Sequence, residues 1–148
     1  MLKVFLEAEI DTLEAVLRSI EEEHEALAGG DAGAIEAATQ RKSLALGAHA
    51  DQQHQRHDWM AQQSLAPATP LATLAGDGDP GLERAVIRLG ELARACDGGN
   101  RRNGALIHRL QDRTRNALGV LRGSGDRGDV YSGSGGQEHG SDRRSLGK

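Results

Sequence analysis

The chain has 148 residues, a net charge of −4, one Cys and 2% aromatic side chains, namely Phe5, Trp59 and Tyr131. Its apolar residues are mostly Ala and Leu, too poor in β-branched and ring side chains to fill a β-sandwich or a doubly wound sheet. No run of about 18 apolar residues occurs, and Glu7 and Glu9 stand where a secretory signal would be apolar, so one cytosolic all-α domain is expected.

The first predicted helix carries Leu6, Ile10, Leu13, Leu17, Ile20, His24 and Leu27 at alternating steps of four and three. That rhythm holds for three heptads and calls for a partner helix. Gly29-Gly30 ends it, and Asp31 supplies an N-cap for the next, so a helical hairpin follows.

The second segment, from about Ala32 to Ser64, shows a weaker stripe of Ile35, Ala38, Leu46, His49, Trp59 and Met60. Between them Asp51 to Asp58 is polar around its whole circumference, and its middle is expected to be solvated. His54 and His57 lack further ligands at metal-binding spacing, so no metal or other cofactor is expected. Residues 66–81 hold all three prolines and three glycines and read as a linker that no helix runs through.

In the third segment Leu82, Val86, Leu89, Ala93, Cys96, Asn100, Asn103, Ile107, Leu110, Thr114, Ala117 and Leu121 keep the four-three alternation for about 40 residues. Cys96 on this stripe reads as a small buried hydrophobe. The two asparagines cost stability in an apolar seam but fix its register. Gly98-Gly99 weakens the helix by about 1 kcal/mol each relative to Ala, which predicts a kink or break, while Gly104 reads as a place of close backbone approach. From Gly123 onward eight of 26 residues are Gly, so residues 123–148 read as a disordered tail after a helical domain of residues 1–122.

Charge is unevenly spread: residues 1–36 carry ten acids and two bases, residues 82–122 four acids and nine bases. Such helices can attract one another within a molecule or between two. Loops that cradle phosphate, nucleophile elbows, zinc-protease helices and spaced Cys pairs are missing, so no enzyme is expected. Net acidity and the lack of interleaved rings also argue against nucleic-acid binding.

One block is more distinctive than the rest: Asn100-Arg-Arg-Asn103-Gly104-Ala-Leu106-Ile107, followed by Thr114, Leu118, Leu121 and a tail tyrosine, Tyr131. It resembles the C-terminal signature of FlgN-like flagellar export chaperones. The first half is similar to the same family in Leu13, Leu17, Glu21-Glu22-Glu23, Leu27-Ala-Gly-Gly-Asp31, Ile35, Lys42 and Leu46.

The resemblance implies a non-enzymatic cytoplasmic chaperone of type III secretion that binds the hook-associated proteins FlgK and FlgL and brings them to the export gate. Its fold would be an elongated antiparallel helical hairpin or coiled-coil bundle of three long helices with a disordered tail. By the same resemblance, Asn100, Asn103, Leu106, Ile107, Leu110, Thr114, Leu118 and Leu121 would contact the substrate protein, and Tyr131 would dock on the gate protein FlhA. Each helical position has a competing use in the chain's own core. A non-flagellar coiled-coil adaptor, or a homo-oligomer closing its seams between chains, stays open.

Overall fold

The computed structural model describes residues 1–76 and 78–128, the last five of these by backbone course alone. The described residues form four helices and no strand: α1 (Leu2–Gly29), α2 (Ala32–Gln62), α3 (Leu71–Ala75) and α4 (Pro80–Gly128). Met1–Arg109 make one compact unit, and Leu110 opens a second. No described helix is long and apolar enough to cross a membrane.

The turns follow from local chemistry. Gly30 adopts φ 73°, a left-handed conformation that costs a residue without Cβ little, and its N–H closes α1 onto Ala26 O. Asp31 then accepts from the amides of Gly33 and Ala34 at 2.9 and 3.3 Å, capping α2. The Pro/Gly segment breaks the chain as expected, yet it contains the short α3. Asp79 caps α4 by accepting from Gly81 and Leu82, and Pro80 occupies the first helical position, where its missing N–H costs nothing.

Three helices share one core in the first unit. Leu13, Val16 and Ile20 of α1 pack with Leu92 and Cys96 of α4, and Ile10, Leu17, Ala45 and Leu89 lean on them from the edges. Cross-helix bonds fix the directions. Glu9, Thr12 and Glu23 of α1 meet Arg56, His49 and Lys42 of α2 in descending order, so α1 and α2 are antiparallel. Cys96 reaches Leu13 O while Asn103 reaches Ile20 O, so α4 runs parallel to α1. Phe5 and Trp59 close the open end of the hairpin with ring centroids 5.8 Å apart. The seams of Met1–Arg109 thus close within one chain.

Three expectations are corrected here. First, α4 runs unbroken through Gly98-Gly99. A Cβ at Gly98 or Gly104 would meet nothing within 4 Å, whereas one at Gly99 would lie 2.7 Å from Ile20 Cγ2, so Gly99 is the close approach.

Second, the inward rhythm of α4 is Ala85, Leu89, Leu92, Cys96, Gly99, Asn103 and Leu106, while Ala93, Asn100 and Ile107 are exposed. The sequence stripe shares every second position with this seam and is rotated at the others. At Gly99 the seam holds a residue with no side chain, which an apolar pattern does not mark.

Third, Arg56, in the run expected to be solvated, is 7% exposed and paired with a Glu9 that is fully buried. On α1, Leu6, Leu13, Ile20 and Leu27 of the expected stripe are buried, and a second set, Glu9, Val16, Ser19 and Glu23, is buried beside them because α1 has a neighbour on each side. α4 continues to Gly128, beyond Gly123, where the Gly-rich segment begins. The tail from residue 129 on, with Tyr131, lies outside the described residues.

Candidate functional site

The helix α4 presents two different surfaces, one in each unit. In the first unit Asn103, 1% exposed, is held on three sides. Its amide nitrogen donates to Ile20 O and to Glu23 Oε1, each at 2.9 Å, and its oxygen lies 3.0 Å from His24 Nδ1. An amide oxygen can only accept, so His24 carries the hydrogen on that nitrogen. Glu23 in turn accepts from Lys42 at 3.0 Å, which ties α4, α1 and α2 into one polar cluster.

A second polar link lies one heptad-pair away, where Arg56 grips both oxygens of Glu9 and also points Nη1 at Met60 Sδ, 3.4 Å away. Among the described residues no buried side-chain nitrogen or oxygen lacks a partner. These links specify which faces meet, because a shifted register would leave charges buried and unpaired.

The expected contact residues therefore divide. Asn103 is a core residue, with both amide hydrogens and one lone pair of its oxygen used inside the bundle. Leu106 is half-buried, Ile107 is 37% exposed, and Asn100 is exposed.

In the second unit Leu110 is half-buried, and every residue from Gln111 to Gly123 is exposed. Thr114 turns its hydroxyl back onto Leu110 O at 3.0 Å, which pairs its polar group within the helix. Leu118 is 51% and Leu121 68% exposed. With about 100° of turn per residue, Leu110, Thr114, Ala117, Leu118 and Leu121 share one stripe. That is an apolar helix face in contact with water.

Cys96 is buried, and burial together with the charge of Glu21 pushes its thiol above the ordinary range, away from nucleophilic thiolate. No group of three or more potential metal ligands comes together among the described residues. His54 instead bonds Ala50 O at 2.8 Å along its own helix.

The family model described as FlgN protein matches residues 1–139. The chain belongs to the FlgN family. FlgN proteins are flagellar export chaperones, a chaperone family and not an enzyme family. No curated protein and no solved structure matches the chain. The FlgN match covers both the bundle and the exposed part of α4.

Sequence reasoning missed Glu9, Glu23 and Arg56 as cross-helix partners. A signal existed: Glu9, Val16 and Glu23 are seven apart, and so are Lys42, His49 and Arg56. Both sets keep the heptad spacing with polar members, and a search for apolar stripes passes over them.

Proposed function

We propose that this FlgN protein binds the hook-associated proteins FlgK and FlgL in the cytoplasm and delivers them to the flagellar export gate through FlhA. The observation that carries the reading is the water-exposed apolar stripe of Leu110, Thr114, Ala117, Leu118 and Leu121. A segment built for assembly outside the cell must be covered before export, and an amphipathic helix covers one by packing its apolar face against the segment's own. Tyr131 is the proposed gate contact, since burying one ring on a partner stabilises a complex by about 1–3 kcal/mol.

Calorimetry with the C-terminal segments of FlgK and FlgL tests the reading, comparing the full-length chain with Leu118→Asp. Leu118 is half exposed, so the variant keeps its fold, which circular dichroism checks. Saturable binding that the substitution weakens at least about tenfold supports the reading, the size expected for losing a buried leucine. An inert full-length chain, or equal binding by the variant, refutes it. In the same assay Tyr131→Ala should leave substrate binding intact while weakening binding to the cytoplasmic part of FlhA.

A further inference from the structure

The flanks of the exposed stripe carry information that the stripe itself does not. Projected at about 100° per residue, Leu110, Thr114, Ala117, Leu118 and Leu121 occupy one arc. Arg113 borders it on one side, and Arg115 and Arg122 border it on the other. All three arginines are exposed. The acid in this stretch, Asp112, lies on the back of the helix, where it holds Arg115 at 3.4 Å. No carboxylate lies between the arginines and the apolar residues of Leu110–Gly123.

We propose that this face of α4 receives an amphipathic helix of the export substrate whose apolar stripe is flanked by carboxylates, a partner chemistry that rests on the chaperone reading above. Charge complementarity selects the occupant. A second copy of α4 laid on the same stripe sets arginine against arginine along both edges, and like charges at such spacing repel. A helix with Asp or Glu beside its leucines meets a guanidinium on either side, and the forks of Arg113 and Arg122 can each bind a carboxylate through two hydrogen bonds.

An anionic lipid surface also attracts arginine. Helices that lie in a membrane interface, however, use Trp, Phe and Leu as wedges, and Leu110–Gly123 contains no ring, with Thr114 and Ala117 in the middle of its stripe. Small side chains flanked by leucines make a socket for the knob of a facing helix. The arginines set the orientation and encounter rate of the docking helix, and the leucines supply the burial that holds it.

The test uses the full-length chain and two synthetic helices with the same leucine stripe, one flanked by Glu and the other by Lys. At low salt the Glu-flanked helix should bind at least about tenfold tighter, and the gap should shrink to about twofold near 1 M salt, where screening acts over roughly 3 Å. The triple reversal Arg113→Glu, Arg115→Glu, Arg122→Glu should swap the preference. The triple Arg→Gln variant, which keeps good helix formers at all three positions, should level it.

Equal affinity for the two helices, a preference that survives charge reversal, or binding of neither helix overturns the proposal. Tighter binding to phosphatidylserine vesicles than to the Glu-flanked helix overturns it in favour of a membrane surface. FlgK and FlgL segments that bind the Gln variant as tightly as the unaltered chain, while Leu118→Asp still abolishes binding, overturn the arginine proposal and leave the chaperone reading standing.

Discussion

Gly99 of α4 lies against Ile20 of α1, so close that an added Cβ would stand 2.7 Å from Ile20 Cγ2. The two residues mark a tight approach of the two helices, beside the polar cluster of Asn103. Ile20 is fully buried and β-branched, so its methyl cannot swing aside.

The glycines of α4 should therefore respond to alanine with opposite signs. At Gly99 the gain in helix propensity, about 1 kcal/mol, is set against overpacking of about 1–3 kcal/mol, and Gly99→Ala should destabilise the fold by up to about 2 kcal/mol. Gly98→Ala and Gly104→Ala, where a Cβ meets nothing within 4 Å, should stabilise it by about 0.5–1 kcal/mol. Urea unfolding of the three variants decides the matter, and a stabilised Gly99→Ala would contradict the packing.

The asparagines of the Asn-x-x-Asn block should separate just as cleanly. Asn103→Leu leaves the Glu23 carboxylate and the His24 N–H short of a partner in the interior, and should cost about 2 kcal/mol. Asn100 is exposed, and Asn100→Ala should change stability by less than about 0.5 kcal/mol. Equal losses at the two positions in the same denaturant titration would mean that both face the core.

The cap of α4 should make stability depend on acid pH. Hydrogen bonds from the Gly81 and Leu82 amides, with smaller help from Lys3 and Arg84, hold the Asp79 carboxyl below its ordinary value of 3.8. A carboxyl whose pKa is lower in the folded than in the unfolded chain stabilises the fold fully above the unfolded value, and this contribution fades as pH falls through the folded value. Asp79→Asn keeps an accepting oxygen but does not titrate. The unaltered chain should exceed it in melting temperature at neutral pH, and the gap should close below about pH 3.8. A gap independent of pH would assign the cap to shape and not to charge.

Much of this architecture was legible because its signals are local or periodic. Gly30 and Asp31 mark the α1–α2 turn by backbone chemistry alone, and the leucine and isoleucine spacing of α1 announces a buried face. The rotation of α4 was not legible, because two interleaved stripes share Leu89, Cys96 and Asn103. Only the partner helix decides between Gly99 and Asn100 at the positions in between. The candidate site was half legible: Thr114, Leu118 and Leu121 are exposed, but nothing local distinguishes Asn103, bonded to three residues of α1, from a surface asparagine.

The Glu9–Arg56 pair offers the sharpest check on how the hairpin is specified. Both side chains are buried, and Arg56 binds both carboxylate oxygens. Arg56→Met alone leaves a carboxylate in the interior without its counter-charge, and should cost about 3–5 kcal/mol. Replacing both, Glu9→Leu with Arg56→Met, removes the unpaired charge along with the pair, and should return stability to within about 1–2 kcal/mol of the original. If the pair also sets the register of α1 on α2, the double variant should retain helix content while its amide exchange protection becomes less uniform along α2. A double variant that is no more stable than Arg56→Met would show that the ion pair is not what makes the single substitution costly.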